Sequence, residues 1–242
     1  MHRQKPKEKI TSVHLNREAE NPPDVMSQIE LFQQFNRERL PALGTILRET
    51  WTPKYTAVLG KRRFQELDKD EKEWNNSQKL VLGEAFHKRM QQHLNREPLW
   101  HYCNDVEAYF RSVQKSGILE KIGKPLLVEQ SVPWKGDYPY TAKPDAVAPY
   151  NGSLYPIQWT TKTEPIAAVE QLGDKLAQVT GEWKALENYF NEEISGALIV
   201  VAYPQGKATI ITIERSRLAQ FWENHLSSRL KRFYDNHIKL AF

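Results

Sequence analysis

The chain has 242 residues, a formal net charge of +4 and a sequence pI near 9.0. That length can bury a sizeable core, and the composition fits one globular domain with an extra arm better than two independent domains. No apolar run approaches the roughly 18–20 residues of a membrane span, so membrane insertion is not expected, and the single cysteine, Cys103, excludes an internal disulfide, a multi-cysteine zinc site and a four-cysteine iron–sulfur cluster.

Residues 1–23 are polar, contain Pro6, Pro22 and Pro23 and show no sustained periodicity, which predicts an extended basic arm. The arm carries Glu8, Glu18 and Glu20 beside its early lysines, unlike an acid-poor mitochondrial presequence. From residue 24 the pattern turns helical through Met26, Ile29, Phe32 and Phe35, and LPALGTILRETW predicts a short helix entered through Pro41. Further helices are expected over 54–67 and 72–94, the second with Leu80, Leu82, Phe86, Met90 and Leu94 as its apolar stripe and His87 inside it. Another is expected over 104–116, followed by a strand over 126–132 after Gly117, Gly123 and Pro125. Cys103, just before it, is expected to be a buried or idle thiol.

The period then shortens. Two strand-like runs, 145–150 and 153–160, flank Asn151-Gly152, the strongest short signal for a type I′ hairpin. A helical run carries Val169, Leu172, Leu176, Val179, Trp183, Leu186 and Phe190, a second hairpin joins GALIVVAY to KATIITIE, and an amphipathic helix with Leu218, Leu226, Leu230 and Phe233 closes the chain. Residues 24–242 therefore read as a single domain of the α+β or α/β class, helical over about 24–122, with a mixed sheet and a crossover helix over about 123–242.

If Asn151 and Gly152 are the central turn residues, Tyr150 faces Ser153 and Asp145 faces Gln158, their β-carbons about 4.5–5.5 Å apart. Period-2 alternation adds Lys143 to the face of Asp145, and Thr160 and Lys162 to that of Gln158. The plainer alternative is a polar hairpin whose Asp and Gln face water.

In this order and spacing the segments resemble the PD-(D/E)XK nuclease superfamily, in its RecB-like branch the mitochondrial genome maintenance exonuclease family. The likeness rests on LPALGTILRET, GEAFH ending at His87, VEQSV with Glu129, PDAVAPYNGSLYPIQWTT, Gln178 and SGALIVVAYPQG. It implies a restriction-endonuclease-like mixed sheet flanked by helices, in which hairpin acids bind Mg²⁺ or Mn²⁺ and a lysine steadies the nucleophile or developing charge.

Mapped onto that pattern, the first acid is Asp145, but the second falls on Gln158 and the lysine on Thr160. The family's Q-x-x-x-Y becomes QVTGE, with Glu182 in place of tyrosine. Losing one anionic ligand weakens metal binding, and losing the cation costs orders of magnitude in rate. The resemblance therefore implies a catalytically inactive nuclease fold acting as a nucleic-acid-binding or structural subunit, with no metal cofactor expected. The resemblance implies the mitochondrial matrix as its place; the basic arm HRQKPKEK, by its charge and flexibility alone, suggests a larger assembly such as the mitochondrial ribosome as its setting. The alternative is an active exonuclease on single-stranded DNA, with Mg²⁺ or Mn²⁺ held by Asp145, Glu129 and His87 and with Lys162 or Lys143 as the relocated lysine. A third reading is a protein-binding scaffold. For single-stranded DNA or RNA the expected contacts are Lys61, Arg62, Arg63, Lys88, Arg89 and Gln178, although each basic cluster alone fits a solvated helix face.

Overall fold

The structure, a computed structural model, describes residues 40–50, 69–98 and 102–239. The arm, the helix expected from residue 24, and the helix over 54–67 with Lys61, Arg62 and Arg63 lie outside the described residues. Helices α1 (Leu43–Glu49), α2 (Lys69–Asn95), α3 (Asn104–Ser116) and the single turn α4 (Ile118–Lys121) precede the sheet. Strands β1 (Leu127–Val128), β4 (Ala146–Tyr150), β5 (Ser153–Thr161), β6 (Gly196–Ala202) and β7 (Thr209–Glu214) then form one sheet in the order β1-β4-β5-β6-β7. Between them, β2 (Val132–Trp134) and β3 (Tyr140–Ala142) pair as a separate two-stranded sheet.

The β4–β5 turn has Asn151 at φ 49° and Gly152 at φ 83°, and Tyr150 pairs with Ser153, the register expected of Asn-Gly. β5 and β6 run parallel, so the chain must cross back between them, and helix α5 (Lys175–Phe190) makes that return. All of GALIVVA in β6 is buried, as befits a strand covered on both faces. On one face Phe86, Met90 and Phe110 from α2 and α3 meet Ile157, Trp159 and Val200. On the other, Leu43 of α1 and Val179 of α5 meet Val147, Ile199 and Val201, joined by Leu230 of the last helix. A mixed sheet flanked by helices is the α+β architecture the pattern implied. No helix of the described residues is long and apolar enough to cross a membrane.

Several expectations are corrected. The strand over 126–132 is broken at Glu129, whose φ of 52° cannot continue a strand, so β1 and β2 belong to different sheets. The helical run after Pro165 divides at Gly173 (φ 61°) into a 3-10 turn, Val169–Leu172, and α5. The closing helix is interrupted by a π turn, Trp222–Leu226, between α6 (Arg215–Phe221) and α7 (Ser227–Lys239). Leu80 is 64% exposed, so the buried stripe of α2 is carried by Phe86 and Met90. Cys103 is exposed, so of the two readings, buried or idle, the first is corrected.

Among the basic residues of the last helix, Arg229 and Arg232 turn back onto α1, whereas Lys231 is exposed. Arg229 grips Asp174 through both guanidinium ends at 2.7 and 2.9 Å and donates to the Leu47 carbonyl at 2.6 Å. Arg232 donates to the Thr50 carbonyl at 2.6 Å. These two side chains satisfy carbonyls left open at the end of α1 and clamp it against α7.

Candidate functional site

Three elements meet beside the open end of the β4–β5 hairpin: α2 with His87, the end of β1 with Glu129, and the bend before β4 with Asp145. The Glu129 amide donates to the Asp145 carbonyl at 3.1 Å, and its left-handed backbone turns the side chain out of the strand path toward the other two. Non-glycine residues hold that conformation when their surroundings over-determine it, commonly at functional sites. His87 Nδ1 lies 3.3 Å from Asp145 Oδ1 and 4.0 Å from Glu129 Oε1. One ligand atom from each of the three lies within 4.8 Å of the others.

Asp145 is only 7% exposed, and its other oxygen accepts the Trp159 backbone amide at 2.7 Å. The β4–β5 ladder ends at Ala146 opposite Ile157, so Asp145 sits one residue beyond it. It therefore turns to His87 and the Trp159 amide instead of sharing a ligand with Gln158. Two carboxylates and one imidazole form an oxygen-rich set with a charge of about −2 when His is neutral, which suits a hard divalent cation such as Mg²⁺ or Mn²⁺.

Gln158 belongs to a second cluster, on the crossover-helix side of β5. Its side chain is fully buried, with Nε2 donating to Glu182 Oε1 at 2.9 Å and Oε1 accepting from Lys175 Nζ at 3.1 Å. Gln178 does the same, Nε2 to Glu182 Oε1 at 3.0 Å and Oε1 from Lys175 Nζ at 3.1 Å. Glu182 is 1% exposed, and its Oε2 has no hydrogen-bond partner. Burial, reinforced by the nearby charge of Asp145, pushes its carboxyl well above the usual range, against the pull of Lys175 and the two glutamine hydrogen bonds. Gly181 holds this stretch close to α1, because a β-carbon there would lie 2.5 Å from Leu43 Cδ2.

An open cleft of about 520 Å³ runs between α2 and the sheet end, lined by Lys79, Leu80, His87, Lys88, Glu129, Asp145, Thr160, Thr161 and Lys175 among others. Thr160 lies on this rim. Neither lysine considered for relocation lines it: Lys143 Nζ is paired with Glu129 Oε2 at 2.7 Å, and the Lys162 amide extends the β5–β6 pairing through the Ala202 carbonyl. Of the expected nucleic-acid contacts, Lys88 lines the cleft, whereas Arg89 is 5% exposed, bound to Glu107 at 2.8 Å and stacked 3.6 Å from the centre of Phe110. The Arg89 charge is spent inside the helical layer. Gln178 faces the buried cluster.

Sequence reasoning missed Lys175, the lysine that the crossover helix brings to the cleft, and took Glu182 only as a lost tyrosine. The signal was present: Lys175, Gln178 and Glu182 fall at i, i+3 and i+7, a polar stripe on a helix otherwise apolar at Leu176, Val179, Trp183 and Leu186.

A mixed sheet flanked by helices, with a histidine and two acids gathered at the mouth of a hairpin, is a nuclease-like arrangement. In keeping with it, the chain is similar to human mitochondrial genome maintenance exonuclease 1, at 26% identity over 199 residues that cover 78% of this chain. The match takes in 57% of that protein, so the chain spans little more than half the length of this relative. No family model matches the chain.

Proposed function

We propose that the protein binds single-stranded nucleic acid in the cleft between α2 and the sheet and no longer cuts it. In this reading it is a PD-(D/E)XK fold retained as a binding or structural subunit of a mitochondrial assembly, such as a ribonucleoprotein. One observation carries the proposal: the side chain at the second acid position, Gln158, is fully buried, with one amide end held by Glu182 and the other by Lys175. It offers the cleft neither a negative charge nor a free oxygen. Thr160 at the rim cannot supply the positive charge of the missing lysine. Mitochondrial placement follows the name of the similar exonuclease.

His87, Glu129 and Asp145 would hold a divalent cation, which when bound neutralises phosphate charge and draws a backbone into the cleft. The same cluster, with the ammonium of Lys175 in one cleft, favours a second reading, an active metal-dependent exonuclease with a rearranged site.

The two are separated with end-labelled single-stranded DNA and RNA in Mg²⁺ or Mn²⁺. The wild type should bind without cutting. Gln158→Asp/Thr160→Lys should restore cutting by about 10²-fold or more, with Glu182→Tyr added to remove the buried acid an aspartate at 158 would meet. Wild-type cutting that disappears in Asp145→Ala would hand the site to the exonuclease reading. Binding no stronger than that of a charge-matched control would leave a protein scaffold.

A further inference from the structure

A lysine that serves a phosphate must be held in place without having its charge neutralised. Lys143 fails the second condition, being paired with the Glu129 carboxylate at 2.7 Å. Lys175 meets both. Its ammonium is held by two neutral amide oxygens, Gln158 Oε1 and Gln178 Oε1, each at 3.1 Å, and it lines the same cleft as His87 and Asp145.

The orientation of those amides is set from behind. Glu182 Oε1 accepts an N–H from Gln158 at 2.9 Å and from Gln178 at 3.0 Å, so each amide must turn its carbonyl the other way, toward Lys175. Reversing either amide would set an NH₂ group against the ammonium and a carbonyl against the carboxyl, losing two hydrogen bonds at once. An ammonium has three donors and two are used here, leaving the third for a ligand. A carboxyl placed behind two amides thus fixes a cation in front of them.

We infer that Lys175 is the phosphate-binding cation of the cleft, recognising a phosphodiester of a single-stranded nucleic acid, and that Gln158, Gln178 and Glu182 are its positioning residues. The inference rests on the proposed nucleic-acid reading. It places the working cation on the crossover helix, not on the hairpin strand where Thr160 stands.

The test is fluorescence anisotropy with labelled oligothymidylate and oligouridylate over a salt series, on the full chain and on Lys175→Met, Gln178→Met and Glu182→Met, each checked for folding by circular dichroism. Lys175→Met should weaken binding about 3- to 10-fold and reduce the slope of log K against log salt by about 0.7, the loss of one phosphate contact on a single strand. Gln178→Met removes one carbonyl from a half-buried position and should weaken binding by less. Glu182→Met keeps every positive charge and removes both the acid and the oxygen that accepts from the two amides, a change that charge counting makes neutral or favourable for an anion. The positioning role predicts weaker binding instead.

A Lys175→Met protein with wild-type affinity and slope would overturn the assignment of the cation. Glu182→Met binding as tightly as wild type, together with an unchanged Gln178→Met, would overturn the positioning role. A folded wild type that binds neither probe would sink the nucleic-acid reading itself, and the inference with it.

Discussion

On the α2 side of the cleft, a histidine and two acids face one another with one bridging lysine, Lys143, at their edge. On the crossover-helix side, the acid, Glu182, lies behind two glutamines, and what faces the cleft is Lys175. Both sides carry carboxyl groups, yet the first turns its acids toward the cleft and the second turns a lysine toward it. The difference comes from depth. An acid at the end of a strand keeps water or a cation within reach, whereas one under the sheet is desolvated and favours its neutral form. Exchanging an acid at 158 for one at 182 therefore does not restore a ligand. It changes what the site can hold.

The largest effect that would break this contrast lies on the first side. Removing a partner that only supports a metal ligand typically costs about 10- to 100-fold in affinity, so losing a direct carboxylate should cost at least about 100-fold. Asp145→Ala is thus expected to abolish measurable Mn²⁺ binding by titration calorimetry, while Gln158→Ala leaves it within about threefold. Equal losses in the two variants would mean that Gln158 reaches the cation and the two sides are one site.

The next effect lies on the buried side and is read in stability. Below pH 4.5, the ordinary value for this group, Glu182 is protonated in both folded and unfolded chains and contributes no pH dependence. Above it, the unfolded chain gives up a proton that the folded chain keeps. Stability therefore falls with rising pH, by at most about 1.4 kcal/mol per unit, until the folded carboxyl ionises. Denaturant titrations at several pH values should show the margin of Glu182→Gln over wild type widening above pH 4.5. Parallel curves would mean that the carboxyl is ionised in the fold. The Asp145 charge contributes to holding the carboxyl neutral, so saturating Mn²⁺ should flatten the wild-type decline, a coupling that only neighbouring halves can show.

How much of this was legible follows the range of the interactions. The hairpin register, the parallel β5–β6 pair and the crossover helix rest on Asn151-Gly152, on β-branched runs and on helical spacing, and local chemistry sets these. Asp145, Glu129 and His87 were named from resemblance, and the fold brings them within reach of one another. Beyond reach of pattern was the break at Glu129, since no local rule selects glutamate for a left-handed backbone and the surrounding packing must impose it. Arg89 shows the same limit from the other side. Its neighbour Lys88 faces the cleft while it turns to Glu107 and Phe110, a choice set by a helix distant in sequence. The pattern puts the missing lysine on the hairpin strand, whereas Lys175 stands on the crossover helix. Gln178 and Glu182 share its helical stripe, whereas Gln158 joins them only when the helix packs on β5.

The smallest effect concerns Lys143, which on the strand pattern was a candidate for the relocated lysine. Its ammonium sits 2.7 Å from Glu129 Oε2 with more than half of its side chain exposed. An exposed pair of this kind contributes about 0–1 kcal/mol to stability, so Lys143→Ala should leave the unfolding midpoint nearly unchanged. For a cation entering beside Glu129, however, Lys143 is a competitor: it occupies one carboxylate oxygen and adds a positive charge where a second one must be accommodated. Removing it should tighten Mn²⁺ binding by about two- to fivefold, about 0.4–1 kcal/mol, which lies within the range by which such a pair is held. Calorimetry on the variant decides it. Weaker Mn²⁺ binding would mean that the ion pair holds Glu129 in its left-handed conformation and that Lys143 supports the acid side of the cleft. Tighter binding would leave the lysine and the metal as alternatives for one oxygen, and Lys143 would have no part in holding a phosphate.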